Sequence, residues 1–108
     1  MNNLNSKENF LKLINTSELL LCFFTGKYFW GSDALFCKID NMLSSYPKVK
    51  SIKIDIDESP SLCAELSVFI APTILIFAQG KETSRESRFI VLNELEKNLN
   101  RYYNLIFE

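Results

Sequence analysis

Histidine is absent from this sequence of 108 residues, and its absence restricts the chemistry that the chain can perform. Histidine is the commonest general base near neutral pH and the commonest metal ligand in proteins. Histidine-dependent hydrolysis and histidine-containing metal sites are therefore excluded. We expect neither a bound metal ion nor a cofactor.

The chain also lacks an excess of basic residues. It has 12 lysine and arginine residues against 13 aspartate and glutamate residues, which gives a formal net charge of −1. Proteins that attract nucleic acid by electrostatics carry a basic patch or stripe. We therefore expect no nucleic-acid partner.

Long apolar segments are missing as well. The longest apolar runs are residues 19–24 and 74–78, whereas a helix that spans a bilayer needs about 20 apolar residues. Residues 1–9 are polar and have no apolar core of the kind found in a secretory signal. We therefore expect a cytoplasmic protein without a membrane partner.

Cysteine is scarce and widely spaced. Cys22, Cys37 and Cys63 are an odd number of thiols, which is typical of a reducing compartment and not of a disulfide framework. The sequence alone does not settle whether two of them pair, because pairing depends on their separation in space. No two of them form a Cys-x-x-Cys motif.

Helical and strand patterns alternate along the chain, which predicts one α/β domain over residues 1–108. Parallel crossovers followed by a hairpin predict a mixed central sheet with helices on both faces. The expected elements are a helix capped by Ser6, a buried strand at 19–24, a helix from Ser32 or Asp33 to Tyr46, a strand at 49–56, a short helix capped by Ser59, a strand after Pro72, a strand at 83–89 and a last helix from 92.

Only Thr73 separates Pro72 from the apolar run at 74–78, an unusual place for a residue without a backbone N–H. Proline there marks a sheet edge, a bulge or a cis turn. Three stretches resemble the thioredoxin family: Asp55 to Pro60, Val68 to Thr73 and Gly80-Lys81-Glu82. Together the similar segments span nearly the whole chain. Residues 85–89 are similar to a bacterial branch of the family. The resemblance implies a thioredoxin-like fold with a cis bond at Ala71–Pro72.

In that family the proline corner lies opposite a Cys-x-x-Cys pair. The resemblance places Phe29, Trp30, Gly31 and Ser32 at that motif, with Phe29 and Ser32 at the two cysteine positions. A shift of one residue brings Tyr28 or Gly31 to those positions and still supplies no thiol. Because the reaction needs a thiolate and a resolving thiol, we expect no disulfide reductase activity.

A second loss points the same way. The family keeps a buried aspartate in its first strand, which helps to move a proton during the reaction. The resemblance places Phe23 at that position. A redox-inactive, degenerate site is therefore the leading hypothesis.

Three consecutive aromatic residues fall on a predicted surface loop before the second helix: Tyr28, Phe29 and Trp30. Exposed aromatic side chains are common in binding hot spots. The resemblance implies that this loop and Ala71–Pro72 form a groove for an extended peptide or protein partner. Equally, the aromatics can fold inward and plug the vacated redox site, and the sequence leaves both possibilities open.

Two alternatives to the binding module stay open. Cys37 can act as a single redox thiol, although a buried apolar cysteine is the commoner role for such a residue. The chain can also be a diverged relative that only dimerises or stabilises another protein; its oligomeric state is not predicted. Cys22 and Cys63 are expected in the core, and Asp55 with Asp57 on a solvated strand end instead of a cation site.

Overall fold

The computed structural model describes residues 2–3, 7–27 and 32–107, and the side chains within 8–27 and 34–107. Its elements are β1 (Asn2–Asn3), α1 (Lys7–Thr16), β2 (Leu19–Thr25), α2 (Ser32–Leu43), β3 (Lys50–Asp55), α3 (Pro60–Glu65), β4 (Thr73–Ala78), β5 (Lys81–Ser87) and α4 (Leu92–Phe107).

The strands form one five-stranded sheet in the order β1-β3-β2-β4-β5. Strand β3 runs parallel to both β1 and β2, whereas β4 is antiparallel to β2 and to β5. The β4–β5 hairpin contains a register shift at Ile76/Phe77. The predicted mixed sheet and α/β class are confirmed.

Strand β2 is buried along its whole length and separates two hydrophobic clusters. Leu20, Cys22 and Phe24 face one cluster, which α1 and α3 cover. The alternate residues of the strand face a second cluster, which α2 and α4 cover through Ile39 and Leu95 among others. A strand covered on both faces needs apolar residues at every position, and this explains the unbroken run in the sequence.

Strand β1 was not expected, because residues 1–9 carry no strand pattern. Asn2 and Asn3 are register partners of Ile52 and Lys53 in β3. Strand pairing uses backbone N–H and carbonyl groups, so polar residues can extend a sheet at its edge.

Helix α2 ends at Leu43, and the prediction that it continues to Tyr46 is wrong. The Tyr46 backbone N–H donates to the Leu43 carbonyl at 2.9 Å, which is the tighter i to i+3 bond of a turn. The following Pro47 disfavours the α conformation at Tyr46. Tyr46 is nevertheless buried, and its hydroxyl donates to Glu96 at 3.0 Å.

Strand β5 begins at Lys81 and ends at Ser87, so the prediction of a strand over 83–89 is wrong at both ends. Arg88 has a φ of 68°, in the left-handed region that interrupts a strand. Phe89 is consequently outside the sheet and 87% exposed.

Helix α3 begins at Pro60 with Ser59 at its N-cap position, as predicted, although the Ser59 side chain makes no capping hydrogen bond. Its proline fits the first helical position, where no backbone N–H is needed. In the described part of the chain, no helix has the length and apolar character needed to cross a bilayer.

Candidate functional site

Four elements meet at one end of the sheet. Strands β2 and β3 are parallel, so their carboxyl ends lie together, and the antiparallel β4 begins there. Strand β5, antiparallel to β4, ends at the same place. The Ala71–Pro72 peptide bond lies at this end and is cis.

Hydrogen bonds attach the Ala71–Pro72 corner to β5. The Pro72 carbonyl accepts from the backbone N–H of Arg88 at 2.9 Å. The Thr73 hydroxyl donates to the Ile70 carbonyl at 2.7 Å and lies 3.1 Å from the Ser87 hydroxyl. Pro72 itself is buried. The corner is therefore attached to the adjoining strands by hydrogen bonds.

Gly26 brings the end of β2 directly against this corner. A Cβ atom at position 26 would lie 3.3 Å from the Ala71 Cβ, closer than ordinary van der Waals contact, and 3.4 Å from Ile56 Cγ1. The next residue, Lys27, donates its backbone N–H to Asp57 Oδ2 at 2.8 Å. The segment that leads into residues 28–31 thus starts beside Ala71.

The predicted motif residues Tyr28, Phe29, Trp30 and Gly31 lie outside the described residues. Ser32 is the first residue of α2, and its side chain also lies outside them. Their assignment to a former redox site, and the choice between a groove and a plug, stay predictions.

Two exposed aromatic residues lie near the corner along the chain, one before it and one directly after Arg88, whose N–H bonds to Pro72. Phe69, three residues before Pro72, is 73% exposed, and Phe89, after β5, is 87% exposed. Together with Ala71 and Pro72 they are called the corner surface below. Sequence reasoning missed both phenylalanines because it assigned Phe89 to a strand and gave Phe69 no role. In the sequence, the only indication of an exposed role for either residue was its position next to a predicted turn.

Cys37 is exposed on α2, so the expectation that it is a buried apolar residue is wrong. Phe36 and Ile39 turn toward the core cluster on this side of the sheet. Successive helical residues are rotated by about 100°, which carries Cys37 away from that cluster. Its thiol is open to solvent.

Cys22 and Cys63 are buried in the core, as predicted. All three cysteines are unpaired, a question that the sequence left open. Burial raises the pKa of the Cys22 thiol. Burial, with smaller contributions from the charges of Asp55 and Asp57, raises the pKa of Cys63 to about 11. Neither buried thiol has a thiolate available near neutral pH.

Phe23 is fully buried under α2, on the face of the sheet that the second cluster occupies. Its ring centroid lies 6.2 Å from that of Phe36. Lys53, the register partner of Phe23 in β3, holds its ammonium group 4.9 Å from the Phe36 ring centroid. An edge-to-face pair of aromatic rings, with a cation beside the Phe36 ring, therefore fills this position.

Asp55 and Asp57 organise the turn after β3. Asp55 Oδ1 accepts the backbone N–H groups of Asp57 at 2.8 Å and Glu58 at 3.3 Å. Within residues 2–3, 7–27 and 32–107, no cluster of side chains is suited to holding a metal ion. The two carboxylates serve as backbone acceptors at a strand end.

The thioredoxin family model matches residues 2–101, which is most of the chain. Thioredoxin H8 of Arabidopsis thaliana is 31% identical over 107 residues, covering 99% of this chain and 70% of the plant protein. The chain belongs to the thioredoxin family. Thioredoxin-like protein YdfQ of Bacillus subtilis is 36% identical over 64 residues, covering 59% of this chain and 57% of that relative.

Solved structures place the chain in the thioredoxin fold. Fasciola hepatica thioredoxin superposes with a TM-score of 0.84 and 25% identity, covering 94% of this chain and 99% of that one. Mitochondrial thioredoxin 3 of Saccharomyces cerevisiae, in its oxidised form, gives 0.83 with 23% identity and 94% coverage of both chains. The fold that the sequence resemblance implied is confirmed.

Proposed function

We propose that this member of the thioredoxin family has lost dithiol–disulfide chemistry and acts as a protein-binding module at the corner surface. The observation that carries the proposal is the placement of its thiols. Cys22 and Cys63 are buried in the core, and the exposed Cys37 is on α2, five residues after the position predicted for a resolving cysteine.

Dithiol chemistry requires two sulfurs that can reach the same substrate disulfide. One thiolate attacks, and a neighbouring thiol resolves the mixed disulfide that forms. The chain has a single exposed thiol, and the raised pKa of Cys63 keeps that buried group in the thiol form at neutral pH. The second half of the reaction has no internal thiol to perform it.

Phe23 supports the same proposal. The position that the family resemblance assigns to a buried aspartate holds an aromatic ring packed against Phe36. A phenyl ring accepts no proton, so this position has no acid–base group. Lys53 lies beside it with its charge over the Phe36 ring instead of near a carboxylate at position 23.

The corner surface supports binding. Phe69 and Phe89 expose two large apolar side chains beside Ala71 and Pro72, where burying each ring against a partner stabilises a complex by about 1.5–3 kcal/mol. We propose an extended peptide or protein as the partner, with Tyr28, Phe29 and Trp30 as further contacts. The proposed site of action is the cytoplasm, whose reducing conditions suit three unpaired thiols.

Two measurements test this proposal. Reduction of insulin disulfides by dithiothreitol should be no faster with the protein than without it, while the Phe29→Cys/Ser32→Cys double variant serves as the control that regains two thiols. Acceleration by the native chain would overturn the proposed loss of redox chemistry.

Peptides from a displayed random library should bind the native chain and should bind Trp30→Ala more weakly. Equal binding by both proteins would overturn the proposal that this groove binds peptides.

The exposure of Cys37 favours one second candidate, a single-cysteine redox protein. Its thiolate attacks a disulfide of a partner, forms a mixed disulfide and releases the other sulfur as a thiolate. The thiolate of a small-molecule thiol then attacks the partner's sulfur in the mixed disulfide, forms a new disulfide with the partner and releases Cys37 as a thiolate. This candidate requires that Cys37→Ser abolish a trapped mixed disulfide with a disulfide-containing peptide; trapping that persists in this variant rules it out.

A further inference from the structure

Arg85 in β5 links this strand to the end of α3. Its guanidinium donates to the Leu66 carbonyl at 2.7 Å through Nη2 and to the Ser67 carbonyl at 3.0 Å through Nη1. These carbonyls belong to the residues that directly follow α3. They stand 18 and 19 residues before Arg85 in the sequence, so the link is a tertiary contact.

The end of α3 has a defined geometry. Val68 N–H donates to the Cys63 carbonyl at 2.8 Å, and Ser67 N–H donates to the Ala64 carbonyl at 3.2 Å. Ser67 has a φ of 56°. This is a Schellman motif, which usually places glycine at the left-handed position. Serine is less favourable there, so the motif benefits from contacts outside the helix.

Glu82 orients the guanidinium. Arg85 Nε donates to Glu82 Oε2 at 3.0 Å, and Nη2 donates to Oε1 at 2.8 Å. This planar two-bond arrangement leaves the remaining N–H groups directed at the carbonyls of Leu66 and Ser67. A lysine ammonium group cannot reproduce this fork.

The chain from Leu66 to Pro72 is therefore held at both ends. Arg85 holds its beginning, and the bond from Arg88 N–H to the Pro72 carbonyl holds its end. Val68 is buried between these points, whereas the neighbouring Phe69 is 73% exposed. The direction in which the Phe69 side chain projects from the protein surface depends on this short fixed segment.

We propose that Arg85 is a positioning residue for the corner surface: oriented by Glu82, it fixes the segment from Ser67 to Ala71 and so presents Phe69 to a partner. The inference rests on the proposed binding function and adds the residue that maintains the binding surface. Arg85 itself lies on the strand edge and need not touch the partner.

The first test measures amide hydrogen exchange in the full chain by NMR. Arg85→Met should accelerate exchange at Ser67 and Val68 by at least about tenfold relative to Leu75 in β4, because charged hydrogen bonds of this kind are lost. Lys81→Met, a change at an exposed position in the same strand, is the matched control. It should not change the exchange rate of Ser67 or of Val68 relative to that of Leu75. Equal acceleration at Ser67, Val68 and Leu75 would mean that Arg85 contributes only to general stability, and would overturn the inference.

The second test uses peptides selected from a displayed random library on the native chain as probes. Arg85→Met should weaken their binding by about tenfold or more, and Arg85→Lys by a smaller factor because it keeps the charge without the fork. If the native chain binds peptides and Arg85→Met binds them equally well, only the Arg85 inference fails. If the native chain binds no peptide, the proposed function fails and the docking role of Arg85 fails with it.

Discussion

Phe23 and Lys53 are register partners in the parallel strands β2 and β3, and Phe36 of α2 contacts both of them. A cation over an aromatic ring is favourable, and more so where water is excluded. The charge of Lys53 is thus accommodated at the border of an apolar cluster without a carboxylate. The contact with Phe36 explains how a lysine can lie beside an aromatic residue at position 23.

Replacing Phe23 tests whether this position now serves packing. Phe23→Ala should lower the free energy of unfolding by about 3–5 kcal/mol, because it leaves a cavity in the core. Phe69→Ala removes the same side chain from an exposed site and should change the free energy of unfolding by no more than about 0.5 kcal/mol. Urea unfolding measures both. Similar losses in the two variants would contradict the assignment of Phe23 to the core.

Glu82 should stabilise the fold at neutral pH. Its hydrogen bond to Arg85 lowers the pKa of the Glu82 carboxyl in the folded chain. Stability from a lowered carboxyl pKa is present above the unfolded pKa and is lost as the pH falls through the folded pKa. Glu82→Gln should therefore cost up to about 1 kcal/mol at neutral pH, the range of partly exposed ion pairs.

The pH series for this variant runs from neutral to about pH 3, below the ordinary range of the glutamate pKa. The difference between native chain and Glu82→Gln should shrink along it. A difference that stays constant over the whole series would show that the carboxylate charge does not contribute.

Glu86 should have the opposite effect. Burial, and to a smaller extent the charge of Glu94, raises the pKa of the Glu86 carboxyl. Its Oε2 is buried and has no hydrogen-bond partner within the described part of the chain. A raised carboxyl pKa means that the charged form is penalised by folding, so the penalty grows as the pH rises above the unfolded pKa.

Glu86→Gln should therefore raise the free energy of unfolding at neutral pH, by a few tenths to about 1 kcal/mol. The gain should disappear at about pH 3, where the native carboxyl is protonated in both states. Thermal unfolding over this pH range measures it. A variant less stable than the native chain at neutral pH would show that the carboxylate is stabilised in the folded state.

Thiol accessibility can be counted directly. One thiol per chain, that of Cys37, should react with a mild aromatic disulfide reagent in the native state, and all three should react after denaturation. Cys37→Ser should remove the native reaction, whereas Cys63→Ser should leave it unchanged because that thiol is buried with a pKa of about 11. Rapid native reaction of two thiols would contradict the burial of Cys22 or Cys63.

The sequence predicted those features that depend on local patterns. The unbroken apolar run of β2 indicated a strand covered on both faces, and the order of elements indicated the mixed sheet. The exposure of Cys37 was missed because cysteine was grouped with the apolar residues, although Phe36 and Ile39 already define the core side of the helix. The prediction that Cys37 is buried used its residue type and not its position on the helix.

Contacts between distant segments could not be predicted in this way. The Arg85 link to Leu66 and Ser67 depends on how closely β5 approaches the end of α3, and no periodicity encodes that distance. The proximity of Gly26 to Ala71 likewise appears only when β2 and the corner are placed together. The end of β5 was predicted two residues too late because Arg88 takes a left-handed conformation, which arginine rarely adopts.

The outer edge of the sheet has a consequence for assembly. Strand β5 carries Lys81, Glu82 and Arg85 at exposed positions, and the irregularity at Ile76/Phe77 distorts its pairing with β4. Charged side chains and bulges at an edge oppose the addition of a further strand. A second chain that extended this sheet would have to separate Arg85 from Glu82 or bury both. Self-association by strand addition, and the fibrous aggregation that can follow from it, are therefore disfavoured along this edge.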